Sequence, residues 1–128
     1  MNKIKGLIFD LDGVLVDTKD IHYEALNFAL KKISNTEISY NDHLNHYDGL
    51  PSLKKLEILN EEGKVKINDN LKILKIKQQI TLKLLKKKIK FNQKIYNSFF
   101  NLSKKYQISI ATNAVKKTLE ICLNKLRI

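Results

Sequence analysis

The feature that most constrains this chain is a short apolar run, Ile4 to Phe9, that stops on two carboxylates two residues apart, Asp10 and Asp12, with Gly13 directly behind them. A run this brief, ended by acid and glycine, predicts a buried strand that delivers its carboxylates into a turn. Strands of the parallel kind, covered on both faces, place such residues at their carboxyl ends, where open α/β sheets bind ligands. A second stretch of the same character, Ile108 to Ala111, also stops on polar residues, Thr112 and Asn113.

Between the two strands the pattern is helical. Asp17 or Thr18 can cap a helix whose apolar positions are Ala25, Leu26, Ala29, Leu30 and Ile33, ending near Ser34-Asn35. A polar segment over 41–48 leads to Gly49-Leu50-Pro51-Ser52, which opens a second helix with Leu53, Leu56 and Leu59 on its apolar side and Gly63 as its stop. A lysine-rich amphipathic helix follows from Asn68 to about Lys88, carrying Leu71, Leu74, Leu82 and Leu85. Helices are also predicted around Ile95 to Leu102 and from Val115 onward. The order strand, helical block, helix, strand, helix predicts an α/β core interrupted by an all-helical insertion.

Two carboxylates leaving one strand end suit Mg²⁺, a hard cation held by one or two carboxylates while water and phosphate oxygens complete its octahedron. A carboxylate is also a competent nucleophile toward phosphorus once the charge repulsion is offset, and its neighbour can move the proton of the leaving oxygen. Asp-x-Asp-Gly also occurs in plain turns and in calcium loops. The calcium loop is excluded here because its fifth position would be Val14 and because a strand, not a helix, comes first.

The balance of 24 Lys+Arg against 13 Asp+Glu gives a formal charge of +11, which favours anionic partners in general without choosing one. Lysines scattered over helix faces read as a solvated surface, and no aromatic-interleaved basic stripe or zinc motif supports nucleic-acid binding. The lone Cys122 lies among Leu119, Ile121, Leu123 and Leu126, a buried helical position that fits a reducing compartment. There is no signal-peptide apolar region and no stretch long enough to span a membrane, so a cytoplasmic location is expected.

The segment Phe9-Asp10-Leu11-Asp12-Gly13-Val14-Leu15, with Asp17-Thr18, resembles the first signature motif of the haloacid dehalogenase-like (HAD) hydrolases, and Ile108 to Asn113 resembles the second. The resemblance spans nearly the whole chain and implies a partial Rossmann-like HAD core of two recognisable strands, residues 1–19 and 90–128, with an inserted helical cap over 20–89. It implies a Mg²⁺-dependent phosphatase acting on a small phosphorylated metabolite through an aspartyl-phosphate. In that reading Asp10 is the nucleophile, Asp12 the general acid/base, and the Asp10 carboxylate with the Asp12 backbone carbonyl the metal ligands. Thr112 and Asn113 would hold the phosphoryl oxygens.

His22 and Thr18 fall where β-phosphoglucomutase-like members have a histidine and a hinge threonine, and Gly49 falls in the cap's substrate-specificity loop. Ser52 stands about where mutases carry the arginine that grips a second phosphate, which favours a phosphatase over a sugar phosphomutase. The family's third-motif lysine and fourth-motif acids have no counterpart before Ile128, so the chain reads as truncated. It is then a catalytically incomplete fragment, completed by a C-terminal continuation or another polypeptide, or else a non-catalytic binding remnant.

Overall fold

The computed structural model describes residues 3–128. Its elements are β1 (Gly6–Asp10), α1 (Lys19–Ser34), α2 (Tyr40–Asp42), a π-helical turn (His43–Tyr47), α3 (Ser52–Glu61), a 3₁₀ turn (Ile67–Asp69), α4 (Asn70–Lys88), α5 (Gln93–Ser103), β2 (Gln107–Ala111) and α6 (Lys116–Leu126). The chain divides into two units. The first runs up to Thr18 and resumes at Leu85–Ile128, and the second is Lys19–Leu84.

The first unit is α/β. β1 and β2 pair in parallel, with Gly6 opposite Gln107 and Asp10 opposite Ala111. Leu7, Phe9, Ile108 and Ile110 share one face of this ribbon and are half-buried. Phe9 meets Phe99 of α5 with ring centroids 5.0 Å apart, an offset aromatic pair that fixes the helix on that face. The other face is open, and Ile8 is 76% exposed. The sequence predicts strands buried on both sides; instead they alternate, because among the described residues the sheet has two strands. Leu11, Leu15, Val16, Leu85, Ile89, Cys122 and Leu126 are the buried apolar residues of this unit among those described.

The second unit is all helical. Leu26, Ala29 and Leu30 of α1 pack with Ile38, Tyr47, Leu56 and Leu59 of α3, Val65 and Ile73 of α4 into one cluster. Two expected core positions are corrected. Leu53 is 53% exposed and Leu71 is 81% exposed, while Lys55 and Ile73 are buried. The reason is helical phase: Lys55 lies four residues before Leu59, so the stripe that buries Leu59 buries the lysine with it and turns Leu53 outward. Asn27 fastens the segment after α1, its amide donating to the Ile38 carbonyl while its Oδ1 accepts from the Ile38 amide, both at 2.8 Å. No helix among the described residues is long and apolar enough to cross a membrane.

Candidate active site

The register of the two strands carries the site. Asp10 and Ala111 are the last residues of β1 and β2 and face each other, so Asp10 and Thr112 leave neighbouring strand ends although 102 positions separate them. Adjacent strands run about 4.8 Å apart, which places both residues at the same end of the ribbon. The Asp10 carboxylate accepts from the Leu11 amide at 2.7 Å.

The chain then turns tightly. The carbonyl of fully buried Leu11 accepts from the amides of Val14, Leu15 and Val16, and the Gly13 amide donates back to the Val16 carbonyl at 2.7 Å. Gly13 has φ +78°, a left-handed conformation that a side chain disfavours. This turn brings Thr18, itself buried, to donate its hydroxyl to Oδ1 of Asp12. Sequence reading gave Thr18 a capping or hinge part; the structure makes it a partner of the second carboxylate. Beyond β2, Thr112 is half-buried and its hydroxyl accepts from the Ala114 amide at 3.0 Å, while Asn113 is exposed. The residue capping α6 is Val115, which supplies no side-chain acceptor.

His22 and Gly49, the other two candidates, belong to the second unit. His22 lies in α1 with its Nδ1 3.5 Å from the Lys77 ammonium. Gly49 has φ +78° and nothing within 4 Å of where a Cβ would stand, so its glycine serves backbone conformation rather than space. Beside it, Asp48 pairs with Lys19 at 2.9 Å, and that contact holds the Asp48 carboxyl below the usual carboxylate range.

Among the described residues no three or more His, Cys, Asp or Glu side chains gather as a metal site. The carboxylates that the strand end offers are those of Asp10 and Asp12. In kind they fit Mg²⁺, which accepts oxygen ligands and leaves most of its shell to water and phosphate; in number they form a partial shell.

A parallel strand pair with two aspartates and a threonine at its carboxyl end, and a helical unit inserted in sequence between the strands, defines an α/β core with a helical insertion. The chain belongs to the haloacid dehalogenase-like hydrolases, whose family profile matches residues 7–128.

Among solved structures it resembles a HAD hydrolase, family IA, variant 3, from Entamoeba histolytica HM-1:IMSS, with a TM-score of 0.76 and 21% identity over 97% of this chain and 56% of that one. It also resembles YfnB from Bacillus subtilis bound to magnesium, with a TM-score of 0.58 and 18% identity over 98% of this chain and 61% of that one. The chain thus spans roughly three fifths of the length of either structure. No curated protein matches it by sequence.

Proposed function

We propose that the chain carries the nucleophile-bearing part of a phosphatase that hydrolyses a small phosphorylated metabolite through a covalent phosphate on Asp10. The observation that supports this most is the register that sets Asp10 beside Ala111 and hence Thr112 at the neighbouring strand end. An Asp10 oxygen attacks phosphorus as the bond to the leaving oxygen breaks, and Asp12 gives that oxygen its proton. Asp12 then takes a proton from the water that cleaves the Asp10–phosphate bond. The Thr112 hydroxyl and Asn113, through its backbone amide, donate to the phosphoryl oxygens. Asp10 and Asp12 would hold Mg²⁺, which when bound offsets the repulsion between carboxylate and phosphate.

The second unit is proposed as the cap that excludes water and selects the substrate, with His22 and Gly49 in its substrate-facing part. A cytoplasmic setting belongs to the same reading, since the one cysteine is buried and unpaired. The test is Mg²⁺-dependent release of phosphate from an aryl phosphate. Asp10→Asn should abolish it and Asp12→Asn should lower it about 10²–10⁴-fold, the usual contribution of general acid–base catalysis. Release that survives Asp10→Asn overturns the reading.

One observation favours a companion reading, that a further polypeptide segment completes the core. A parallel ribbon is normally covered on both faces, yet here Ile4 and Ile8 are 72% and 76% exposed. The partial metal shell points the same way. Added sequence that covers these residues should raise both stability and Mg²⁺ affinity; a chain whose activity and melting are unchanged by it argues against completion.

A further inference from the structure

The excess of positive charge is not spread evenly over the chain. No Asp or Glu stands between Asp69 and Glu120. The first unit holds 13 Lys+Arg against 4 Asp+Glu, the second 11 against 9, so the first carries +9 of the +11.

On that basic unit lies a row of aromatic rings. Phe91 and Tyr96 have centroids 5.7 Å apart, and Tyr96 and Phe100, one helical turn on in α5, lie 6.3 Å apart with planes only 8° from parallel. A cation stands at either end. Lys104 Nζ is 4.3 Å from the Phe100 centroid, and the Arg127 guanidinium, brought from the end of α6, is 4.7 Å from that of Phe91. Along the sequence no basic stripe alternates with aromatics; the fold makes one by joining Arg127 to Phe91 across 36 positions.

These rings are not core. α5 turns Phe99 to the ribbon, where it meets Phe9, while Phe100 is 52% exposed and Phe91 37%. Single exposed apolar residues are ordinary, but three linked rings with a cation at each end make a patch that marks a partner. Flat π faces accept nucleic-acid bases by stacking, and Lys90, Lys94 and Lys105, all exposed beside the row, add charge complementary to phosphate. A membrane surface would call for a broad apolar face, and α5 instead flanks its rings with exposed Asn97 and Asn101.

We propose that Arg127, Phe91, Tyr96, Phe100 and Lys104 form a stacking surface for single-stranded nucleic acid, separate from the Asp10 chemistry. From its cap at Asn92 to Lys104, α5 runs about 18 Å, room for roughly five nucleotides at the spacing of a stacked strand. A duplex keeps its bases stacked on one another, so a paired strand cannot use the rings.

The test is fluorescence anisotropy of labelled oligouridylate and oligothymidylate of about ten nucleotides, titrated with the full chain. Both should bind, with an affinity that falls as salt rises, and a duplex of the same length should bind at least about fivefold more weakly. Phe100→Leu keeps apolar bulk and removes the π face; it should weaken binding about fivefold or more, whereas Phe100→Trp should bind at least as tightly as wild type. Lys104→Gln should weaken binding and flatten the salt dependence, while loss of an exposed lysine of the second unit, in Lys72→Gln, should leave both close to wild type. Circular dichroism checks that each variant is folded.

No binding of either strand, equal affinity in Phe100→Leu, equal losses in Lys104→Gln and Lys72→Gln, or a duplex bound as tightly as the single strand overturns the surface. Asp10→Asn should bind like wild type, so failure of the phosphatase reading would leave these results intact.

Discussion

The Thr18 hydroxyl donates to Oδ1 of Asp12, six positions earlier, closing the turn from inside the protein. Thr18 is 1% exposed while Asp12 is half-buried, so the bond ties the second carboxylate to the rigid side of the turn. Thr18→Val keeps the shape and removes the donor. It should lower the stability of the chain by about 1–2 kcal/mol, the size of a hydrogen bond to a charged acceptor that retains some access to water. Urea denaturation of the two proteins measures the difference, and an unchanged midpoint would mean the bond is not held in solution.

Stability should fall as the solution is acidified through the histidine range. The His43 pKa lies below its ordinary 6.5 because burial disfavours the imidazolium. The unfolded chain therefore takes up this proton first. Stabilisation is fully present above about pH 6.5 and is lost progressively as the pH drops from there toward the folded value. Melting temperatures at pH 7.5 and 5.5 should differ in wild type and differ less in His43→Gln; equal slopes would remove His43 as the cause.

Gly49→Ala isolates a backbone effect. The glycine has φ +78° with open space around the missing Cβ, so no clash contributes. A left-handed alanine costs about 1–2 kcal/mol. Thermal denaturation should show a loss of that size, and Gly49→Asn should recover part of it, because asparagine tolerates this conformation. A neutral Gly49→Ala would show that the loop adopts another conformation.

Cys122 should be chemically silent. Burial, helped by the Asp12 charge, pushes its thiol up to about 11, and it is fully buried in α6. At pH 8 a thiol reagent should fail to label the folded chain and label it fully in guanidinium; prompt labelling of the native protein would contradict the packing of α6.

The parts of this structure that were legible in the sequence are those where one local signal decides the outcome. Asp10 ends its strand because acid and glycine follow an apolar run, and α3 opens at Ser52 because Pro51 stands before it. The α/β class followed from the helical block between two such strands.

What escaped was set by tertiary packing. The segment 41–48 looked like a polar linker, yet residues 40–47 form α2 and a π-turn, with Tyr47 and His43 buried within the second unit. Lys55 was counted with the solvated lysines, although its spacing from Leu59 placed it on the buried stripe. The exposure of Ile8 was not visible either, because covering a strand depends on neighbours rather than on the strand's own residues.

The most direct measurement is to locate the phosphoryl group. The chain is incubated with Mg²⁺ and a small acyl phosphate, quenched in acid and digested, and the modified peptide is identified by mass spectrometry. The account predicts a phosphate on Asp10, within the peptide that contains Asp12, and none in Asp10→Asn. A phosphate on any other residue, or one that persists in Asp10→Asn, would contradict it.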